Sequence, residues 1–260
     1  MSAKSRRARS FSRSPSSSAR FIFIIPAVAA WLMLTSAGES VEEQARPHLT
    51  LPEVVEKLLE KNAERTQALE NYSNKRIYEL DYRGFPAGFH AEMVVRMDYH
   101  APGKKEFQIL SESGPKWIVN RVLKRLIETE REAQKPENRA KVELNTRNYG
   151  FTSLEYRATT DGCTYVLNVE PKVPNKFLYR GRIWINEDDF AVCRIEGEPA
   201  QNPSEWITKT EIRHTYQKLG AFWLPAENQS DSTLRLNGHA SLNIKYSDYE
   251  VNKPAAAQKD

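Results

Sequence analysis

The sequence predicts a mainly β protein with helices: a long, strongly curved antiparallel sheet of about ten strands, with two helices packed on its concave face. Three observations carry this. Apolar and polar residues alternate with a period of two from Asn74 almost to the C-terminus, interrupted by short turn signals and by one helical stretch. Only two stretches, 51–72 and 115–134, space their apolar residues as a helix does. No helical stretch separates the later strands, so parallel crossovers have nothing to be built from.

The chain begins with a segment outside that pattern. Met1 to Arg20 carries six basic residues and no acidic one, and FIFIIPAVAAWLMLTSA follows from Phe21 to Ala37. A basic head, an apolar middle and the small residues Thr35 and Ala37 before Gly38 describe a cleavable secretory signal. Residues 1–37 are therefore expected to be removed on export to the periplasm. The apolar run sits at the lower edge of a bilayer span, about 17 residues, so an inner-membrane anchor at 21–37 is the alternative. Arg6–Arg7 hints at twin-arginine export, but the Ala-Arg-Ser-Phe that follows matches it poorly. Residues 38–50 read as a linker, 51–251 as the folded domain and 252–260 as a polar tail.

Export changes the charge balance. The whole chain is +4, with 38 basic and 34 acidic residues. Without the leader's six basic residues, 32 face 34 and the net charge is −2. A near-neutral mature chain offers no electrostatic footprint for nucleic acid.

The first helix is expected at Leu51–Tyr72. Thr50 stands three residues before Glu53, Pro52 suits the first turn, and Leu51, Val54, Val55, Leu58 and Leu59 form one apolar stripe. Strands follow from Asn74 to Tyr82 and from Phe89 to Tyr99, where Phe89, Ala91, Met93, Val95 and Met97 share one face. Lys105 to Ser111 completes an antiparallel meander. The second helix, Pro115 to about Gln134, has Trp117, Ile118, Val122 and Leu126 on its apolar side. Seven further strands are expected at about 151–158, 163–170, 177–186, 190–197, 206–218, 227–236 and 239–250, with Asn237–Gly238 the strongest hairpin signal.

Catalytic and metal signatures do not stand out. The five histidines, His48, His90, His100, His214 and His239, lack helical metal spacing, and no HExxH, G-x-S-x-G, phosphate loop or dinucleotide fingerprint occurs. No cofactor is expected. Glu187-Asp188-Asp189 suits a solvated turn. Cys163 and Cys193 are the only cysteines. If both stay in the strand ladder, two strand spacings separate their α-carbons by roughly 9.5 Å, beyond the roughly 7 Å limit for a bridge. Two free, mostly buried thiols are therefore expected, with a disulfide as the alternative if the register slips.

Helices lying on one face of such a sheet leave either an apolar cavity or a dry core. Candidate cavity residues are Leu58 and Met93, Val95 and Met97 on the early elements, Trp117 and Val122 on the second helix, and Phe177, Tyr179 and Ile183 on a later strand. Arg180 and Arg182 on the other parity could meet an anionic head group or simply be sheet surface.

The helix LTLPEVVEKLLEKNAERTQALENY, the strand FHAEMVVRMDY, the helix PKWIVNRVLKRLI, the segment KFLYRGRIWINEDDFAVCRIEGEPA and the closing FWLPAENQSDSTLRLNGHASLNIKYSDYE resemble the outer-membrane lipoprotein-sorting and lipoprotein-carrier (LolA-like) superfamily. The resemblance covers roughly residues 50–251. It implies an open, highly curved antiparallel half-barrel with helices as a lid over a cavity for acyl chains, and no catalytic residue. The function expected is a periplasmic carrier or sensor of a lipid or lipidated protein, in transient contact with a membrane. A cell-envelope interaction module with a dry core is the alternative, and a hydrolase comes third.

Overall fold

Strand alternation and two separate apolar helix faces dictate where the core forms. The computed structural model describes residues 48–202 and 204–252. The leader, most of the linker and nearly all of the tail lie outside them.

Helix α1 spans Leu51–Ala68. The Glu53 carboxylate accepts hydrogen bonds from the Thr50 amide at 2.7 Å and the Thr50 hydroxyl at 2.6 Å, which fixes the N-terminus. Strands β1 (Asn71–Arg83), β2 (Phe89–His100) and β3 (Lys104–Ser113) form the first meander. A helical segment follows: α2 (Lys116–Ile118), a π-helical turn (Val119–Leu123), α3 (Lys124–Ala133) and α4 (Pro136–Val142). The second meander comprises β4 (Tyr149–Tyr156), β5 (Tyr165–Pro171), β6 (Tyr179–Ile185), β7 (Val192–Pro199), β8 (Ile207–Leu219), β9 (Phe222–Leu234) and β10 (Gly238–Val251). The β9–β10 turn places Leu236 and Asn237 at positive φ (62° and 58°), and Gly238 pairs with Leu234. The hairpin forms where the Asn-Gly signal announces it, but the turn falls one residue earlier: Gly238 is extended, with φ −78°, and begins β10.

All ten strands form one antiparallel sheet in the order β3-β2-β1-β10-β9-β8-β7-β6-β5-β4. Pairing of β1 with β10 joins the two meanders. This corrects the expected strongly curved half-barrel with two helices. The sheet is an open ladder with β3 and β4 as end strands, and the second helix is a broken run of several segments. The physical reason is that most of the buried apolar residues lie in two places, each under its own helix, so the sheet need not curl upon itself to hide them. Under α1, Val54, Val55 and Leu58 pack on Leu167, Val169, Ile183, Ile185 and Ile195 of β5–β7. Under the other run, Ile118, Val119, Leu123 and Ile127 pack on Tyr78, Leu80, Ala91, Met93 and Val95 of β1 and β2.

The cysteines also depart from expectation. Cys163 and Cys193 form a disulfide with α-carbons 6.3 Å apart. Neither residue stays in the regular ladder. Cys163 precedes β5, in a turn drawn across the end of β6 by the Glu187 amide donating to the Gly162 carbonyl at 2.9 Å. The β6–β7 register shifts between Trp184–Arg194 and Ile185–Val192, leaving Cys193 as the extra residue of a bulge. Both then meet beside Val166 and Trp184, in a small cluster apart from the α1 core.

Candidate functional site: an apolar cavity over the central strands

Strand β9 carries the sequence Asn228-Gln229-Ser230-Asp231-Ser232, polar on both parities. No apolar stripe can close on such a strand without stranding its hydroxyls and amides away from water. Between the two helix-covered regions there is accordingly a cavity of about 1250 Å³. Its floor is built from the inward positions of β1, β10, β9 and β8: Leu80, Leu242, Ile244 and Ile212 supply the apolar part. Val122 and Leu126 of the second helical run form a wall, and Phe177, Leu178 and Tyr179 another. From Ala240 to Tyr246, both lining residues, the strand rises about 20 Å.

The two ends differ. At one end lie Tyr82, Phe85, Trp117, Trp206 and Leu234. Phe85, Trp117 and Trp206 are 78%, 58% and 63% exposed, so this end is an aromatic rim. The turns that carry it lie together: the Arg235 amide donates to the Trp206 carbonyl at 2.9 Å, and Trp117 meets Phe89 edge-on at 5.6 Å. At the other end Tyr78, Glu130, His214, Asn228 and Tyr246 line the space.

Beside that polar end lies a buried ion cluster. Arg76, 3% exposed, donates to Glu130 at 2.6 Å, and Lys105 donates to the same carboxylate at 2.7 Å. The guanidinium also lies over the Phe107 and Tyr246 rings at 5.4 and 5.1 Å. Burial alone raises a carboxyl pKa; the Lys105 and Arg76 charges outweigh it and hold Glu130 down at about 2. Burial with no compensating charge pushes the His214 imidazole down to about 4, so it is neutral at neutral pH.

Of the nine residues singled out in the sequence, Trp117, Val122, Phe177 and Tyr179 line this cavity. Met93 and Val95 are fully buried beneath the second helical run. Leu58 and Ile183 lie in the α1 core. Met97 packs with Tyr72 and Leu224. Arg180 and Arg182 belong to the opposite face, where Arg180 meets Glu170 and Glu198, and Arg182 meets Glu196. That face bears a ladder of paired charges rather than a free cation. Residues not singled out, His214, Asn228, Leu242, Ile244 and Tyr246, supply much of the floor. For Asn228 the signal was the polar inward parity of β9.

Among the described residues no group of three or more His, Cys, Asp or Glu side chains is placed to hold a metal ion. No helix among them is long and apolar enough to cross a membrane.

No protein-family model and no curated protein matches the sequence. Solved structures match in chain path. The chain is similar to a DUF1329 family protein from Desulfovibrio piger, with a TM-score of 0.39 and 8% identity over 79% of this chain and 94% of that one. It is similar to a domain described as an outer membrane lipoprotein-sorting protein from Vibrio parahaemolyticus, at 0.37 and 12% over 78% and 95%. It is also similar to a LolA superfamily protein from Nitrosomonas europaea, at 0.35 and 10% over 80% and 96%. MucB in complex with MucA(peri) matches at 0.22 and 9% over 77% and 100%. Two of these structures are described by the name of the superfamily that the sequence resembles. At these identities and TM-scores they assign this chain neither ligand nor partner.

Proposed function

We propose that this protein is a non-catalytic binding protein of the cell envelope whose cavity takes an acyl chain, from a lipid or from a lipidated protein. The observation that carries the reading is the cavity itself: about 1250 Å³, walled chiefly by aliphatic and aromatic side chains and long enough for an extended chain. Each methylene buried there contributes about 0.8 kcal/mol. The exposed aromatic rim supports brief contact with a membrane surface during loading, since the Trp and Tyr side chains it contains favour that boundary. The disulfide supports an oxidising compartment such as the periplasm.

The test is uptake of N-phenylnaphthylamine, which fluoresces on entering apolar surroundings, by protein stripped of lipid. The wild type is expected to bind it and to release it to long-chain lipids. Leu242→Trp and Ile212→Trp, which fill the cavity from its floor, are expected to weaken uptake by more than about tenfold, equivalent to losing about two buried methylenes. Folded wild-type protein that leaves the probe dark contradicts the reading.

A second reading, a protein-interaction module of the envelope, is favoured by the end strand β3. It is exposed along most of its length, and Ile109 and Leu110 are 39% and 52% accessible. An open edge of this kind can accept a partner's strand.

A further inference from the structure

Three strands bring one polar side chain each to the end of the cavity opposite the rim. His214 of β8 and Asn228 of β9 stand directly opposite each other in the ladder. Asn228 Nδ2 donates to the Tyr246 hydroxyl of β10 at 2.9 Å. That bond uses one of the amide's two donors, and Asn228 Oδ1 is buried with no hydrogen-bond partner among the described residues. Such an atom is seldom left unmade in a folded protein. The His214 ring likewise makes no hydrogen bond with the described residues, and its neutral form offers one donor and one acceptor. Tyr246 accepts from Asn228 and keeps its own proton to give, because burial raises its phenol well above the ordinary range. The charges nearest this row are turned toward one another: Glu130 is held by both Arg76 and Lys105.

We propose that His214, Asn228 and Tyr246 form a subsite for an uncharged group that both donates and accepts hydrogen bonds, a hydroxyl or a primary amide at the end of an alkyl chain. Asn228 Oδ1 receives the ligand's proton, and His214 and Tyr246 complete the contact. The ligand then lies with its polar end away from the aromatic rim and its tail along Leu242 and Ile244. This rests on the reading of the cavity as an acyl-chain site and adds to it which end is recognised and by what chemistry.

The experiment is displacement of bound N-phenylnaphthylamine at neutral pH by four chains of matched length: dodecanol, dodecanamide, dodecanoate and methyl undecyl ether. The ether is an isomer of dodecanol that accepts but cannot donate. Dodecanol and dodecanamide are expected to displace the probe at concentrations about tenfold lower than the ether, the effect of one buried hydrogen bond made or unmade. In Asn228→Leu and His214→Leu that preference, read as the ratio between dodecanol and the ether within each variant, is expected to shrink to about twofold or less. Equal displacement by dodecanol and the ether in the wild type, or tighter binding of dodecanoate than of dodecanol, overturns the subsite while leaving the cavity reading intact. A wild type that never takes up the probe overturns both.

Discussion

Strands β5–β7 and β8–β10 are neighbours in one ladder and differ in what they turn toward the helices. On the first set the inward residues are Leu167, Val169, Ile183, Ile185 and Ile195, none more than 4% exposed, and α1 closes directly on them. On the second set aliphatic residues share the inward face with Thr210, His214, Asn228, Ser230 and Ser232. Here the helices stand off and a cavity opens. The difference teaches that a few hydroxyl and amide side chains at inward strand positions decide between a dry core and a binding space. The hydrophobic gain from docking a helix there is offset by polar groups left without water.

The comparison can be broken first at its boundary. Glu130 reaches from α3 into the space between the second core and the cavity and is the shared anion of Arg76 and Lys105. Glu130→Gln strands two cations and is expected to cost about 3–5 kcal/mol in urea unfolding. The sign with pH follows from its depressed pKa. Glu130 stabilises the fold fully above its ordinary value of 4.5, and that contribution is lost as pH falls toward about 2. The gap between wild type and variant should therefore narrow over that acid range. A gap that stays constant, or a variant as stable as the wild type at neutral pH, means the cluster is solvated rather than structural.

A smaller effect sharpens the same contrast. Leu167, fully buried under α1, and Leu242, half-buried on the cavity floor, occupy equivalent inward strand positions. Leu167→Ala is expected to cost about 2–5 kcal/mol, whereas Leu242→Ala should cost less than about 2 because its neighbours on one side are already absent. Equal losses in denaturant unfolding would mean that the two regions are packed alike.

Much of the fold was legible because backbone periodicity is written into side-chain order. Met93 and Val95 alternate with Val94, and β2 turns both inward. Thr50 and Glu53 mark the start of α1, and Asn237–Gly238 marks the β9–β10 hairpin, whose turn falls at Leu236 and Asn237. Alternation says which face a residue joins, but not whether a helix lies directly above it. That is why Met93, Val95, Met97, Leu58 and Ile183 sit in packed cores while Trp117, Val122, Phe177 and Tyr179 border the cavity. The same limit hid His214 and Asn228, whose polarity suggests surface until the strands are aligned. Curvature was overestimated because strand count does not reveal that two separate cores already bury the apolar faces. The disulfide stood only as the alternative because strand-spacing arithmetic assumes a regular ladder, and the bulge at Cys193 breaks it.

The most direct test of the account is native mass spectrometry of the protein isolated from its own cells, followed by denaturing extraction of whatever accompanies it. The account predicts an acyl-bearing species at about one per chain, one elongated cavity holding one chain, and its loss in Leu242→Trp. A protein that emerges empty, and stays empty when stripped and offered long-chain lipids, would contradict it and leave the open edge of β3 as the surface to pursue.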